Sequence, residues 1–234
     1  VIGLKKYWFR LSLPDFKKNP EKYTGDIKEW EFASEEIKKA LKEYGKKFIE
    51  EKGEAAFYGP KIDVQIKNSQ GKEETLATIQ VDIVVPERLH LTYIDEKSEK
   101  KIPIVIHRAI LGSYERFVAF LLEQTEGKLP LWLSPIQVRL INFTDRNLKF
   151  SQKIIEHLQK DIPYLRIDSD FRQATINDKI RDSELQKIPY TIVIGDKEEQ
   201  NQTLAIRERG KKPVFGIKIE TFVEEIKEKI AKKQ

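Results

Sequence analysis

The feature that most constrains this chain is a strand, a bend and a helix that follow one another within residues 102–122. Residues 102–106 read Ile-Pro-Ile-Val-Ile, an apolar and β-branched run that predicts a buried strand. Gly112 lies at the bend, where the lack of a β-carbon would let a flat group approach the backbone. Arg116 follows one helical turn later, where a guanidinium can stack on such a group and neutralise phosphate. The spacing alone favours an ordinary strand-to-helix junction with a surface arginine, because Gly-x-x-Glu-Arg is a short pattern. Apolar residues then recur at the spacing of one helix face: Val118, Phe120, Leu121 and Leu122.

The composition is that of a soluble, globular and highly charged protein. Of the 234 residues, 39% are hydrophobic and 35% are charged, and no apolar run approaches the roughly 20 residues of a membrane helix. We find no signal peptide, because Lys5, Lys6 and Arg10 interrupt the apolar residues at the N-terminus. Cysteine is absent, which excludes disulfides and thiolate metal sites and favours a cytoplasmic protein. The net charge of +5 permits a polyanionic partner without demanding one. Methionine is absent as well, and we interpret the chain as a fragment of a longer protein.

A short apolar link at residues 129–135 (LPLWLSP) predicts the boundary between two domains, 1–129 and 130–234. In the first, the alternation at 62–66 and 74–85 predicts an antiparallel hairpin, and residues 91–94 are expected to continue its sheet. Ser34 is the expected N-cap of a helix that runs to about Glu51. In the second, strands alternate with helices, which predicts a mixed α/β sheet covered on both faces. The predicted fold class is therefore α+β followed by α/β.

Several polar residues of the first domain have two interpretations each. Thr78, Gln80 and Asp82 alternate with apolar residues and share one face of their strand, which either meets water or lines a cleft. Lys61 follows a Gly-Pro turn and has the ordinary interpretation of a solvent lysine. His107, at the end of a predicted buried strand, is ordinarily a satisfied core residue.

Residues 107–117 (HRAILGSYERF) closely resemble motif 3 of class II aminoacyl-tRNA synthetases, in the form found in threonyl-tRNA synthetases. The same family is resembled, in the same order, by other stretches: 56–63 (AFYGPKID), 78–82 (TIQVD), 129–135, and 195–198 (GDKE) followed by Arg207. The resemblance implies a threonine–tRNA ligase of subclass IIa, with part of the class II antiparallel catalytic sheet followed by an anticodon-binding domain. Such a ligase activates threonine with ATP and Mg²⁺ and transfers it to tRNA(Thr). Another class IIa synthetase fits less well, and a non-catalytic RNA- or protein-binding module is the alternative.

The resemblance also implies roles for residues of the first domain. The implied substrate- and ATP-binding residues are Tyr58, Lys61, Thr78, Gln80, Ser113 and Arg116. Three of them are the catalytic candidates: Arg116 would stack on adenine, Gln80 would hydrogen-bond to the adenylate, and Lys61 would neutralise phosphate.

His107 matches a zinc ligand of the family, and zinc of that kind requires three protein ligands. The family takes the other two from sequence that precedes the stretches quoted above, so we expect this chain to bind zinc poorly or not at all. Motifs 1 and 2 are not recognisable either. We therefore expect the chain alone to be a monomer without threonine-dependent ATP–pyrophosphate exchange, although the parent enzyme would be a homodimer.

In the second domain, the resemblance places four residues at the anticodon. Arg172 and Arg181 would flank a helix that approaches the anticodon loop, and Glu198 and Arg207 would read unstacked bases. Gln173 stands where the family commonly has asparagine, so the resemblance does not assign a tRNA contact to this residue. The ordinary interpretation of Glu198 and Arg207 is a surface ion pair between neighbouring strands.

Overall fold

The computed structural model describes residues 6–233, which form two compact units, 6–124 and 125–233. None of the helices within this described range combines the length and the apolar character that a bilayer-spanning segment requires. The expected boundary between residues 129 and 130 remains a prediction.

The unit 6–124 is built on a five-stranded sheet of order β2-β1-β3-β4-β7, in which only β1 and β2 are parallel. The predicted hairpin is confirmed as β3 and β4. The strands are β1 (Trp8–Leu13), β2 (Phe48–Lys52), β3 (Lys61–Lys67), β4 (Glu73–Asp82), β5 (Tyr93–Ile94), β6 (Lys100–Lys101) and β7 (Val105–Ala109). The helices are α1 (Ile27–Glu43), α2 (Val85–Arg88) and α3 (Tyr114–Thr125), with a 3-10 turn at Pro20–Lys22.

One face of this sheet is apolar and is covered by α1. Ile37 and Leu41 of the helix pack on Leu11 of β1, which is fully buried. The flanking residues of the cluster are Phe9, Leu13, Phe48, Ile62 and Val81. Alternate residues of β1, β3 and β4 therefore point away from this core, towards the opposite face.

The position of α1 corrects the sequence prediction. The helix begins after Asp26, whose side chain accepts a hydrogen bond from the second helical N–H, and Ser34 lies inside it. It ends before Gly45, whose φ of +72° is typical of a residue that follows a helix. Phe48–Lys52 is a strand rather than the end of the helix, because it pairs with β1.

Two strand predictions in this unit are also wrong. Residues 102–106 do not form a buried strand, because β7 is the edge strand and Ile106 is 66% exposed. Residues 91–94 do not extend the main sheet, since β5 pairs only with β6 in a separate two-stranded ribbon of the described structure.

The unit 125–233 has a five-stranded mixed sheet of order β12-β11-β10-β8-β9. β9, β8 and β10 are parallel to one another, whereas β10, β11 and β12 are antiparallel. The strands are β8 (Val138–Asn142), β9 (Ile167–Asp170), β10 (Tyr190–Ile194), β11 (Thr203–Glu208) and β12 (Val214–Lys218). The helices are α4 (Leu148–Asp161), α5 (Ile176–Leu185), α6 (Asp196–Asn201) and α7 (Ile219–Ala231), with 3-10 turns at Leu131–Leu133 and Asp145–Asn147.

The two faces of this sheet are covered unequally. α4 and α7 pack on one face and bury the core residues of alternate strand positions, among them Leu140, Ile192 and Leu204. α5 lies on the other face, where Arg139 of β8 donates a hydrogen bond to Gln186 at the end of that helix (2.9 Å). Helices therefore lie on both faces, as predicted, but α5 leaves the surface of β10, β11 and β12 open.

Candidate functional site

Five of the sequence-predicted residues meet on the face of the first sheet that α1 does not cover. Gln80 pairs across the strands with Lys61 on one side and His107 on the other, so these side chains share a face. The Tyr58 hydroxyl donates a hydrogen bond to the Gln80 side-chain oxygen, and Gln80 Nε2 donates to Thr78 Oγ1 at 3.3 Å. The rings of Tyr58 and His107 are 5.5 Å apart in an edge contact. The structure thus assembles these residues into a continuous polar row.

A tight backbone contact holds Tyr58 in this row. Gly59 packs so closely on β4 that a β-carbon there would lie 1.6 Å from the carbonyl oxygen of Val81. Backbone hydrogen bonds flank the contact, from Val81 N–H to Pro60 and from Ile83 N–H to Tyr58, both at 3.0 Å. The loop can take this position only because residue 59 has no side chain. Burial raises the pKa of the Tyr58 phenol, so that it stays a hydrogen-bond donor.

A buried carboxylate organises the other end of the row, and sequence reasoning missed it. Asp63 is fully buried on β3, and its Oδ2 accepts a hydrogen bond from the Ser12 hydroxyl at 2.8 Å. The same oxygen lies 3.0 Å from Lys61 Nζ and 3.2 Å from Arg10 Nη2. Lys61 is therefore not a solvent lysine: its side chain is 18% exposed and fixed by this carboxylate. The alternation along β3 places Asp63 on the same face as Lys61, which is the signal that could have found it.

His107 also has a carboxylate partner. Its Nε2 lies 2.8 Å from Oδ2 of the buried Asp82, while Asp82 Oδ1 accepts the backbone N–H groups of Val84 and Val85. His107 is half exposed, with 47% of its side chain accessible, so it is not a core histidine. Residues 6–233 contain no group of three or more His, Cys, Asp or Glu side chains placed to hold a metal ion.

Ser113 and Arg116 stand at the start of α3. Gly112 precedes them with φ +62°, and a β-carbon there would lie 2.6 Å from a backbone carbonyl oxygen of β4. The Ser113 hydroxyl accepts the N–H of Arg116 at 3.3 Å, which is a helix-capping contact. Arg116 is exposed, and within the described residues its guanidinium makes no hydrogen bond or ion pair with the polar row.

The second unit carries a cavity of about 730 Å³ on its open sheet face. Its floor comes from strand residues that alternate with the core, because Ala205 and Arg207 face the cavity while Leu204 and Ile206 face α4 and α7. The other lining residues come from α5, α6, the strands β10, β11 and β12, and the residues that adjoin them or follow β8: Phe143, Ile176, Ile180, Val193, Gly195, Lys197, Glu198, Asn201, Thr203, Pro213, Phe215 and Gly216. The cavity is thus apolar on part of its wall and charged at two predicted positions, Glu198 and Arg207.

Glu198 and Arg207 share this cavity without pairing with each other. Glu198 Oε2 accepts the backbone N–H of Gly195 at 3.0 Å. Arg207 Nη2 is 3.7 Å from Glu184 of α5, a distance that makes only a loose ion pair. The ordinary interpretation of a Glu198–Arg207 ion pair is therefore wrong, and hydrogen-bonding atoms of both side chains remain available to a ligand.

The structure separates Arg172 and Arg181 from this cavity. Arg172 forms ion pairs with Asp170 (3.1 Å) and with Asp182, and it lines a different cavity of about 210 Å³. The hydrogen bond from Arg172 lowers the pKa of the Asp182 carboxyl. Arg181 is exposed on α5 and is not among the described residues that line the 730 Å³ cavity. The four predicted anticodon residues therefore do not form one cluster.

Comparison with known protein families identifies the family to which this chain belongs. The family model described as "tRNA synthetase class II core domain (G, H, P, S and T)" matches residues 3–125, which is just over half of the chain. The chain belongs to the class II aminoacyl-tRNA synthetases. A second family model, described as "Anticodon binding domain", matches residues 137–229 of this synthetase chain.

Its curated relatives are threonine–tRNA ligases. The chain is 43% identical to the ligase of Bacillus velezensis over 95% of its own length and 34% of the relative's. It is 45% identical to the ligase of Sulfurihydrogenibium sp. over 98% of its length and 36% of the relative's. The synthetase chain therefore spans about a third of the length of the curated relatives that it matches.

A solved structure has the same fold. The crystal structure titled as the RNA binding domain of threonyl-tRNA synthetase from Cryptosporidium parvum superposes with a TM-score of 0.83 and 31% sequence identity. The match covers 95% of this synthetase chain and 55% of that chain. The predicted family and fold class are confirmed.

Proposed function

We propose that this chain works as part of a threonine–tRNA ligase, in which residues 130–234 recognise the anticodon of tRNA(Thr). The observation that carries the proposal is the presence of Glu198 and Arg207 in one cavity on the open sheet face. A carboxylate accepts hydrogen bonds from base amino groups, and a guanidinium donates them to base oxygens and ring nitrogens. A carboxylate and a guanidinium beside an apolar floor suit unstacked bases of a single-stranded loop.

We further propose that residues 1–129 form the C-terminal part of the catalytic domain, which uses threonine, ATP and Mg²⁺ as substrates. In this part, the linked side chains of Tyr58, Gln80 and Thr78 would hydrogen-bond to the adenylate. Lys61 would place its charge beside phosphate, because Asp63 holds its ammonium group in the polar row. Arg116 would supply the second cation from α3.

The experiment measures the affinity of the full chain for the anticodon stem–loop of tRNA(Thr) and for stem–loops with altered anticodons. Glu198→Gln keeps an oxygen that can accept the Gly195 N–H but removes the charge, and Arg207→Gln removes the guanidinium. Each base contact is worth about 1–3 kcal/mol, so we expect each variant to bind about 5- to 150-fold more weakly.

Lys160→Gln is the matched control, because Lys160 is an exposed charge on α4, which packs on the opposite face of the same sheet. The proposal fails if the two cavity variants bind like this control. It also fails if the unmodified chain does not distinguish tRNA(Thr) stem–loops from the altered ones.

A further inference from the structure

The 730 Å³ cavity has two exposed aromatic rings that the family resemblance does not assign. Phe143 and Phe215 both line it, with 58% and 69% of their surface accessible. Phenyl rings favour burial, and rings held open beside charged groups are the usual surface on which proteins stack unpaired bases.

The first ring stands next to the carboxylate of the cavity. Phe143 directly follows β8, and its backbone N–H donates to the carbonyl of Ile194 at 2.8 Å. The added β-carbon at Gly195 would lie 3.7 Å from Phe143 Cβ and 3.1 Å from Glu198 Oε2. Phe143 and the Glu198 carboxylate therefore both lie directly beside Gly195. A base stacked on Phe143 would present its edge to Glu198.

The second ring stands on the side of the guanidinium. Phe215 belongs to β12, the edge strand that pairs with β11 through Ile206 and Val214. The neighbouring floor residue on β11 is the small Ala205, which is buried and leaves room above it. Arg207 follows on the same face of that strand. A base stacked on Phe215 would therefore lie beside Arg207.

The two rings are too far apart to clamp one base. β10 and β11 lie between β8 and β12 in the sheet, and three spacings of about 4.8 Å each separate the outer strands by about 14 Å. Aromatic groups contact at centroid distances of only about 4.5–7 Å. Each ring must then serve a different base.

We propose that Phe143 and Phe215 are stacking platforms for two different unpaired bases of one RNA loop, the first read by Glu198 and the second by Arg207. This inference rests on the proposed anticodon recognition and adds to it the residues that hold the bases flat. It makes the cavity a site for two bases rather than one.

The experiment titrates the full chain into tRNA(Thr) anticodon stem–loops that carry the fluorescent base 2-aminopurine at one anticodon position at a time. Stacking on a ring quenches this probe. We expect Phe143→Ala and Phe215→Ala each to weaken binding about 5- to 150-fold, the range found when one stacking aromatic is removed. Each variant should abolish the quenching at a different probe position, and Phe143→Tyr should restore both affinity and quenching.

The control is Tyr164→Ala, which removes an exposed aromatic ring outside the residues that line the cavity. Phe143→Leu keeps apolar volume without a ring and must lose the quenching while its thermal unfolding matches that of the unmodified chain. The inference is overturned if both alanine variants bind like the control, or if both lose quenching at the same position. Binding by the unmodified chain that depends on Glu198 but on neither ring overturns only this inference, whereas absence of binding overturns the proposed function as well.

Discussion

Replacing Gly59 with alanine should destabilise the unit 6–124 by a purely steric route. The new β-carbon would lie 1.6 Å from the carbonyl oxygen of Val81 and 2.8 Å from its carbonyl carbon. Both contacts are with backbone of a central strand, which cannot rotate away as a side chain would. Gly59 does not have a left-handed φ, so the loop must move off β4 to relieve the contact.

The loss follows from the contacts that this movement breaks. The hydrogen bonds from Val81 N–H to Pro60 and from Ile83 N–H to Tyr58 flank the site, and each contributes about 1 kcal/mol. Overpacking of the displaced loop adds about 1–3 kcal/mol. We therefore expect a decrease of about 3–5 kcal/mol in the free energy of unfolding. Tyr58 should also lose its hydrogen bond to Gln80.

Urea unfolding, monitored by tryptophan fluorescence, measures this decrease in the free energy of unfolding. A Trp132→Phe background confines the signal to Trp8 and Trp30, which both lie in the unit 6–124. Gly71→Ala is the matched control, because Gly71 has φ +78° but nothing within 4 Å of its added β-carbon. That control should lose only the roughly 1–2 kcal/mol of a left-handed alanine. If Gly59→Ala loses no more than the control, the loop is not held by backbone contact.

The other two predictions concern buried polar groups. Asp63→Ala leaves Arg10 and Lys61 beside each other without their shared carboxylate, so the same urea assay should show a decrease of about 3–5 kcal/mol in the free energy of unfolding. Asp63→Asn keeps a hydrogen-bond acceptor and should show a smaller decrease. Equal stability of both variants and the unmodified chain would contradict a stabilising role of this ion cluster. Burial raises the pKa of Tyr190 to about 12, and a pKa raised on folding gives a stability contribution that is complete below pH 10 and disappears as pH rises through 12. An alkaline absorbance titration should show a late tyrosine component that Tyr190→Phe removes, and an unchanged curve would show that Tyr190 titrates normally.

The sequence predicted elements best where the pattern was local. The hairpin of β3 and β4 and the alternating strands and helices of the second unit are fixed by periodicity within a few residues. The segment Phe48–Lys52 was predicted as the end of a helix because its strand partner, β1, is distant in sequence. Residues 102–106 have the composition of a buried strand, but burial depends on neighbouring strands. Within residues 6–233, β7 pairs with β4 alone.

The same limit applies to the candidate sites. Lys61 and Gln80 were found by family resemblance, and their meeting on one face depends on the register of β3 and β4. Asp63 was missed because its burial follows from pairing with Arg10 across a second strand. Phe143 was missed because a single phenylalanine after a strand is indistinguishable from a core residue. Both can be recognised as site residues only once the pairing of strands that are distant in sequence is known.

The two-residue period of β11 has a consequence for how specificity can change. Leu204 and Ile206 belong to the hydrophobic core on one side of the strand, while Thr203, Ala205 and Arg207 line the 730 Å³ cavity on the other. Substitutions in the second set can therefore change the cavity surface without disturbing the hydrophobic core that the first set forms. A library randomised at these three positions should yield folded proteins with new nucleotide preferences, which is what the engineering of orthogonal tRNA pairs requires.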